Sequence, residues 1–246
     1  MYIIGSVLII PAIIFAMVAQ GKVSGAFNRY SQIPTTKGLT AAQVARKLLD
    51  ENGCGNVQVQ KINGQLTDHY DPKKKTVSLS TEVYDSTSLA AVGIAAHECG
   101  HAIQDHTNYP PLKLRQLVIK TTSIVNKLLI PLIIIGLIAS IFVTGTTIMG
   151  IAAGDFWFIL VIAFCAMYAI SFIINLITLP TEYNASARAK KLLSQGNYLF
   201  DEDEQQAVSR VLSAAALTYV AGLVISLVYL LRFLGIVLMM TGNRRR

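Results

Sequence analysis

Four long apolar runs, at residues 2–19, 128–144, 156–179 and 214–240, alternate along the chain with polar, mixed segments. Each run is long enough to cross about 30 Å of hydrocarbon as a helix, so the pattern predicts about four transmembrane helices. The first run has no charged leader, and Gln20, Gly21 and Lys22 follow it where a cleavage site would need small residues; it reads as a retained anchor. After a mixed connector at 22–36 that contains Pro34, an Ala-rich helix is expected over 41–52. Thr40 is its N-cap, and Gly53 and Gly55 stop it. Residues 57–62 alternate with period two and predict a strand, and Asn63-Gly64 is a hairpin-type turn signal. Residues 66–70, a polar turn at 71–74 and a strand at 76–80 complete a small sheet. A helix from about 89 to 105 follows, capped by Ser86 or Ser88.

Beyond Pro110-Pro111, residues 112–127 form an amphipathic pattern with Lys113, Arg115, Lys120 and Lys127, suited to lying along the inner membrane surface. Past the third run, Pro180 with Thr181 and Glu182 in the first turn predicts a helix from 180 to about 195. The acidic run 201–204 reads as a solvated helix start.

Composition strengthens the membrane reading, since 53% of residues are hydrophobic and 14% charged, against about 25% charged in soluble domains. The net charge of +7 raises nucleic acid as a partner, but the basic residues follow the membrane instead. Thirteen of the 21 Lys and Arg fall within 20–127, four within 181–210 and none in 145–155. By the positive-inside rule the first two stretches face the cytoplasm. Arg244, Arg245 and Arg246 conflict with this scheme if the last run crosses once; the conflict eases if its start is a cytoplasmic helix or if it turns back near Arg232. Cys54, Cys99 and Cys165 form no disulfide framework.

Candidate chemistry resides in His97-Glu98-Cys99-Gly100-His101, an H-E-x-x-H pattern inside the expected helix. Positions i and i+4 share a face, so both imidazoles reach one tetrahedral zinc ion while Glu98 points at its water. Cys99 lies about 200° around the helix from His97 and reads as a small buried residue. His106, rotated away from His101, reads as a surface residue at the helix end. A catalytic zinc takes three protein ligands, and Glu182 is a candidate because the charge count places it on the same side of the membrane as the His pair. As a plain surface residue it is equally a favourable first-turn anion.

The motif, followed far downstream by Glu182-Tyr183-Asn184-Ala185-Ser186-Ala187-Arg188-Ala189, resembles the YugP-type bacterial membrane zinc metallopeptidases. This gluzincin-like family is related in motif to HtpX and the CAAX prenyl proteases. The resemblance covers nearly the whole chain, including Leu66-Thr67-Asp68-His69-Tyr70-Asp71-Pro72 and 214–221. It implies His97, His101 and Glu182 as ligands of one catalytic Zn²⁺ and Glu98 as general base. In the HtpX-like pattern the residue four after the ligand Glu is an Asp that orients a zinc-bound His; Ser186 stands here. A hydroxyl accepts the imidazole N–H without adding charge, so that support is weaker or comes from elsewhere, Asn184 being the nearest alternative.

Three further residues carry two readings each. His69 faces the cleft or is a surface loop residue. Tyr219 donates to the oxyanion or is an interfacial aromatic, and Arg188 pairs with a carboxylate or with lipid phosphate. The strand at 76–80 is expected to serve as an exposed edge on which an extended substrate lies.

The expected fold is mainly α: an integral-membrane helical protein with a small cytoplasmic α+β zincin-like domain. Its parts are an anchor (2–19), a cytoplasmic region with the zinc helix (20–127), a transmembrane hairpin (128–179), a cytoplasmic helix region carrying the third ligand (180–213) and a last span with a basic tail (214–246). The expected function is zinc-dependent endopeptidase activity on membrane or misfolded proteins at the cytoplasmic face of a bacterial inner membrane. A zinc-stabilised adaptor or chaperone without activity is the alternative. Glu98 argues against it, because a structural site is closed by four ligands and needs no carboxylate beside a water.

Overall fold

The computed structural model describes residues 2–119, 131, 134, 147, 148 and 151–243. Among these, three helices are long and apolar enough to cross a membrane: Ser6–Tyr30, Trp157–Gln195 and Glu202–Gly242. The apolar run at 128–144 and the tail Arg244–Arg246 lie outside the described residues, apart from residues 131 and 134, which are helical. The backbone is helical over 110–119, the first part of the amphipathic segment; its remainder also lies outside them.

The first helix, α1 (Tyr2–Tyr30), does not stop at the expected connector. Ala26, Phe27 and Tyr30 pack against the hydrophobic core, and this packing carries the helix on through Lys22 and Arg29. Next comes α2 (Ala41–Glu51), capped as the sequence predicts. Thr40 accepts from Gln43 N, and the Gln43 side chain accepts from Thr40 N. Gly53, at φ +74°, takes the left-handed conformation that ends it.

The small sheet departs from the expected hairpin. Its strands β1 (Gln58–Ile62), β2 (His69–Asp71) and β3 (Thr76–Ser80) stand in the order β1-β3-β2. β1 pairs parallel with β3 and β2 antiparallel with it, so Asn63-Gly64 does not join two neighbouring strands. All five β3 residues are buried, and a partner occupies each edge. The expectation that β3 is an exposed substrate shelf is therefore wrong: Thr, Val and Ser side chains suit a central strand covered on both faces, a setting in which period-two alternation disappears.

After the single turn α3 (Thr81–Tyr84), Ser88 accepts from Ala91 N and opens α4 (Leu89–His106), the helix that carries the His pair. Short β4 (Thr147–Ile148) and β5 (Ile151–Ala152) pair antiparallel before α5 (Ala153–Gln195), and α6 (Glu202–Asn243) ends the described chain. One expectation is corrected here, and one of two open alternatives falls away. No new helix starts at Pro180, because α5 runs through it. The proline removes one intrahelical hydrogen bond, and the buried Thr178, Thr181 and Glu182 around it hold the turn by packing. α6 is likewise continuous through Arg232, so it does not turn back there. Nor is its acidic start fully solvated. Glu204, 7% exposed, accepts from Thr36 N (2.6 Å), Thr36 Oγ1 (2.9 Å) and Phe200 N (2.7 Å), clasping the chain after α1.

The chain forms two compact units: Met17–Lys113 with Thr178–Val220, and Met1–Ala16 with Leu114–Ile177 and Ala221–Arg246. The second is apolar, with Tyr168 and Tyr229 stacked at 4.8 Å between ring centroids. The first contains the sheet, α2, α4 and all the motif residues. Within it α4 and α5 approach closely at Gly100, where an added Cβ would stand 2.7 Å from the Ala185 carbonyl oxygen. Gly100→Ala is therefore expected to push α5 away from α4. A lowered Tm is the expected readout, and a wild-type Tm in this variant would show that the two helices tolerate the added methyl group.

Candidate active site

On α4, His97 and His101 lie one turn apart on one face, with their rings edge to face at 4.8 Å. From α5, Glu182, 1% exposed, places Oε2 at 3.1 Å from His97 Nε2 and 3.4 Å from His101 Nε2. The three ligand atoms all lie within 4.8 Å of one another. Burial opposes a charge on Glu182, but hydrogen bonding to His101 and His97 outweighs it and holds the carboxyl well below the usual carboxylate range. Burial also disfavours a charged His101; Glu182 and Glu98 overcome this and raise its pKa.

The other ring nitrogens are held as well. Ser186 Oγ lies 3.1 Å from His97 Nδ1, at the position where the HtpX-like pattern has Asp. Gln104 Oε1 lies 3.0 Å from His101 Nδ1. Gln104 Nε2 donates to Thr181 O (2.8 Å) and Asn184 Oδ1 (3.0 Å), which turns the amide oxygen toward His101. An amide oxygen only accepts, so His101 Nδ1 donates to Gln104 Oε1, which leaves Nε2 directed at Glu182. Asn184 thus holds Gln104 and does not touch an imidazole. Arg188 Nε donates to the same Asn184 oxygen at 2.9 Å, which extends the chain one step further.

A cavity of about 180 Å³ opens beside these residues, lined by His97, Glu98, Glu182 and Ser186, with Tyr219 from α6 on its wall. His69 is not part of it. The ring is exposed, with Nδ1 2.8 Å from Thr67 O, because the strand pleat turns the neighbouring Tyr70 inward to donate to Asp105 Oδ2 at 2.7 Å. Cys99 is fully buried with Sγ 3.5 Å from Ala45 O, and burial pushes its thiol up. His106 is exposed at the end of α4.

Residues 5–238 match the family described as "Putative neutral zinc metallopeptidase". The chain belongs to this zinc metallopeptidase family. It is also 38% identical over 233 residues, 94% of this chain and 95% of the other, to a Bacillus subtilis (strain 168) protein described as "Putative membrane protease YugP". No solved structure matches it.

The donor set of this metallopeptidase fits zinc. Ligand atoms about 2.0–2.1 Å from a tetrahedral ion stand about 3.3 Å from each other, close to the 3.1 and 3.4 Å separations of Glu182 Oε2 from the two imidazoles. Two neutral imidazoles and one carboxylate are the ligands of a hydrolytic zinc site, which leaves a position for water.

Sequence reasoning missed four contributors to the metallopeptidase's site. Gln104 sits at i+3 from His101, a spacing that could have revealed it. Val23 and Phe27, on the extension of α1, wall the cavity, as does Asp68 next to the displaced candidate His69.

Proposed function

We propose that the protein is a membrane-embedded zinc endopeptidase that cleaves membrane or membrane-associated proteins at the cytoplasmic interface. The observation that carries this reading is the convergence of Glu182 on His97 and His101, with Glu98 lining the same cavity. His97 Nε2, His101 Nε2 and a Glu182 oxygen would hold one zinc ion. Zinc supplies a water of pKa near 7 and polarises the scissile carbonyl. Glu98 takes a proton from that water on a carboxylate oxygen and returns it to the leaving amine nitrogen. Ser186 and Gln104 fix the two imidazole rings, and Tyr219, on the cavity wall, would donate its hydroxyl to the developing oxyanion.

The cytoplasmic position follows from charge. The polar segments that carry the His pair and Glu182 hold 17 of the 21 Lys and Arg, which favours the inner face of the cell membrane. Glu182 follows the apolar part of α5 by only a few residues, so water reaches the site at the interface. Purified protein in detergent should cleave an unfolded protein substrate, lose activity with a chelator and regain it with added Zn²⁺. Cleavage that persists after the zinc has been removed, checked by metal analysis, rules this function out.

A further inference from the structure

The cavity contains one acidic residue that the mechanism above leaves without a task. Asp68 lies just before β2 on the cavity wall, and its carboxylate is fixed in place by the end of β3. Oδ1 accepts from Ser80 N at 2.7 Å and Oδ2 from Ser80 Oγ at 3.1 Å. A carboxylate has about four lone-pair sites, so this grip leaves acceptor capacity on both oxygens. Burial pushes the Asp68 carboxyl up. Among the described residues, the Lys and Arg ion pairs use Asp50, Asp85 and Asp105, and none uses Asp68. Apart from Tyr219 and the residues given a role above, the wall is apolar: Val23 and Phe27 from α1, Ile94 from α4, and Leu212 and Ala216 from α6.

An apolar cleft with a fixed, partly buried carboxylate on its wall is complementary to an apolar side chain with a cation beside it. We propose that Asp68 is a specificity-determining residue that selects substrates with a Lys or Arg side chain next to the apolar residue entering the cavity. That combination occurs at the cytoplasmic end of transmembrane segments, where apolar sequence gives way to basic residues. The inference rests on the peptidase reading and names its substrate class, the cytoplasmic flanks of membrane spans. Partial burial strengthens the pairing relative to the same contact in water, and a charged hydrogen bond of this kind changes kcat/KM on the order of 10–100-fold.

The test uses the zinc-loaded full-length protein in detergent and N-acetylated peptides that differ only in having Lys, Gln or Glu beside a common Leu. The expected order of kcat/KM is Lys above Gln above Glu, with a Lys-to-Gln ratio of about tenfold or more carried mainly by KM. Asp68→Asn keeps an acceptor for Ser80 N and offers Nδ2–H to Ser80 Oγ, so it removes the charge and preserves the grip. It should bring the Lys-to-Gln ratio close to one at wild-type zinc content. A wild type that cleaves Lys and Gln peptides equally well overturns the proposal, as does an Asp68→Asn variant that retains the wild-type ratio. A wild type that cleaves no peptide, with or without added zinc, overturns the peptidase reading and the subsite with it.

Discussion

Glu98→Gln is expected to bind zinc as the wild type does and to cleave its substrates about 10²–10⁴-fold more slowly, the range that a positioned proton-transfer group contributes. Glu98 lies between the two His on α4 and lines the cavity, but it is not among the three residues whose ligand atoms converge. Glutamine preserves the shape and can still hydrogen-bond a water, yet it cannot accept that water's proton. The loss should therefore appear in kcat, while zinc content and Tm stay near wild type. A Glu98→Gln protein with full turnover would remove Glu98 from the chemistry. The same variant, able to bind substrate without cleaving it, is a trap for identifying natural substrates by co-purification from membranes.

Glu182→Ala should have the opposite signature: loss of zinc and of activity together. The carboxylate is 1% exposed, bonds to both imidazoles, and is the only anion that brings α5 to the His pair among the converging residues. Without it two His remain, one short of a catalytic zinc site. The drop in zinc affinity should exceed the roughly 10–100-fold that follows loss of an outer partner such as Ser186. Stoichiometric zinc in purified Glu182→Ala would show that another residue completes the site.

The elements around the motif were legible because their signals are local. Thr40 before one Ala-rich run, and Ser86 or Ser88 before another, are capping signals that depend on neighbours in sequence, and the two helices start after Thr40 and Ser88. The sheet was less legible. β3 pairs in parallel with β1 across an intervening strand, and no local turn signal encodes such a pairing. The lengths of α1 and α5 were misjudged for a related reason. Polar residues after an apolar run suggest the end of a helix, but Phe27, Tyr30 and Thr181 are buried against other elements or close to it, and tertiary packing decides. At the site, H-E-x-x-H was readable because its ligand geometry lies within one helix, whereas Asp68 and Gln104 acquire meaning only when β2, α4 and α5 meet.

The origin of Glu182 on α5 has a consequence for biosynthesis. The His pair leaves the ribosome about eighty residues before Glu182, the carboxylate proposed to complete its ligand set, and the cavity wall supplied by α6 follows later still. A nascent or truncated chain ending before α5 would therefore hold the two imidazoles and Glu98 but not the third proposed ligand. On the proposed ligand set, the order of synthesis by itself would keep the centre incomplete until the last helices are in place.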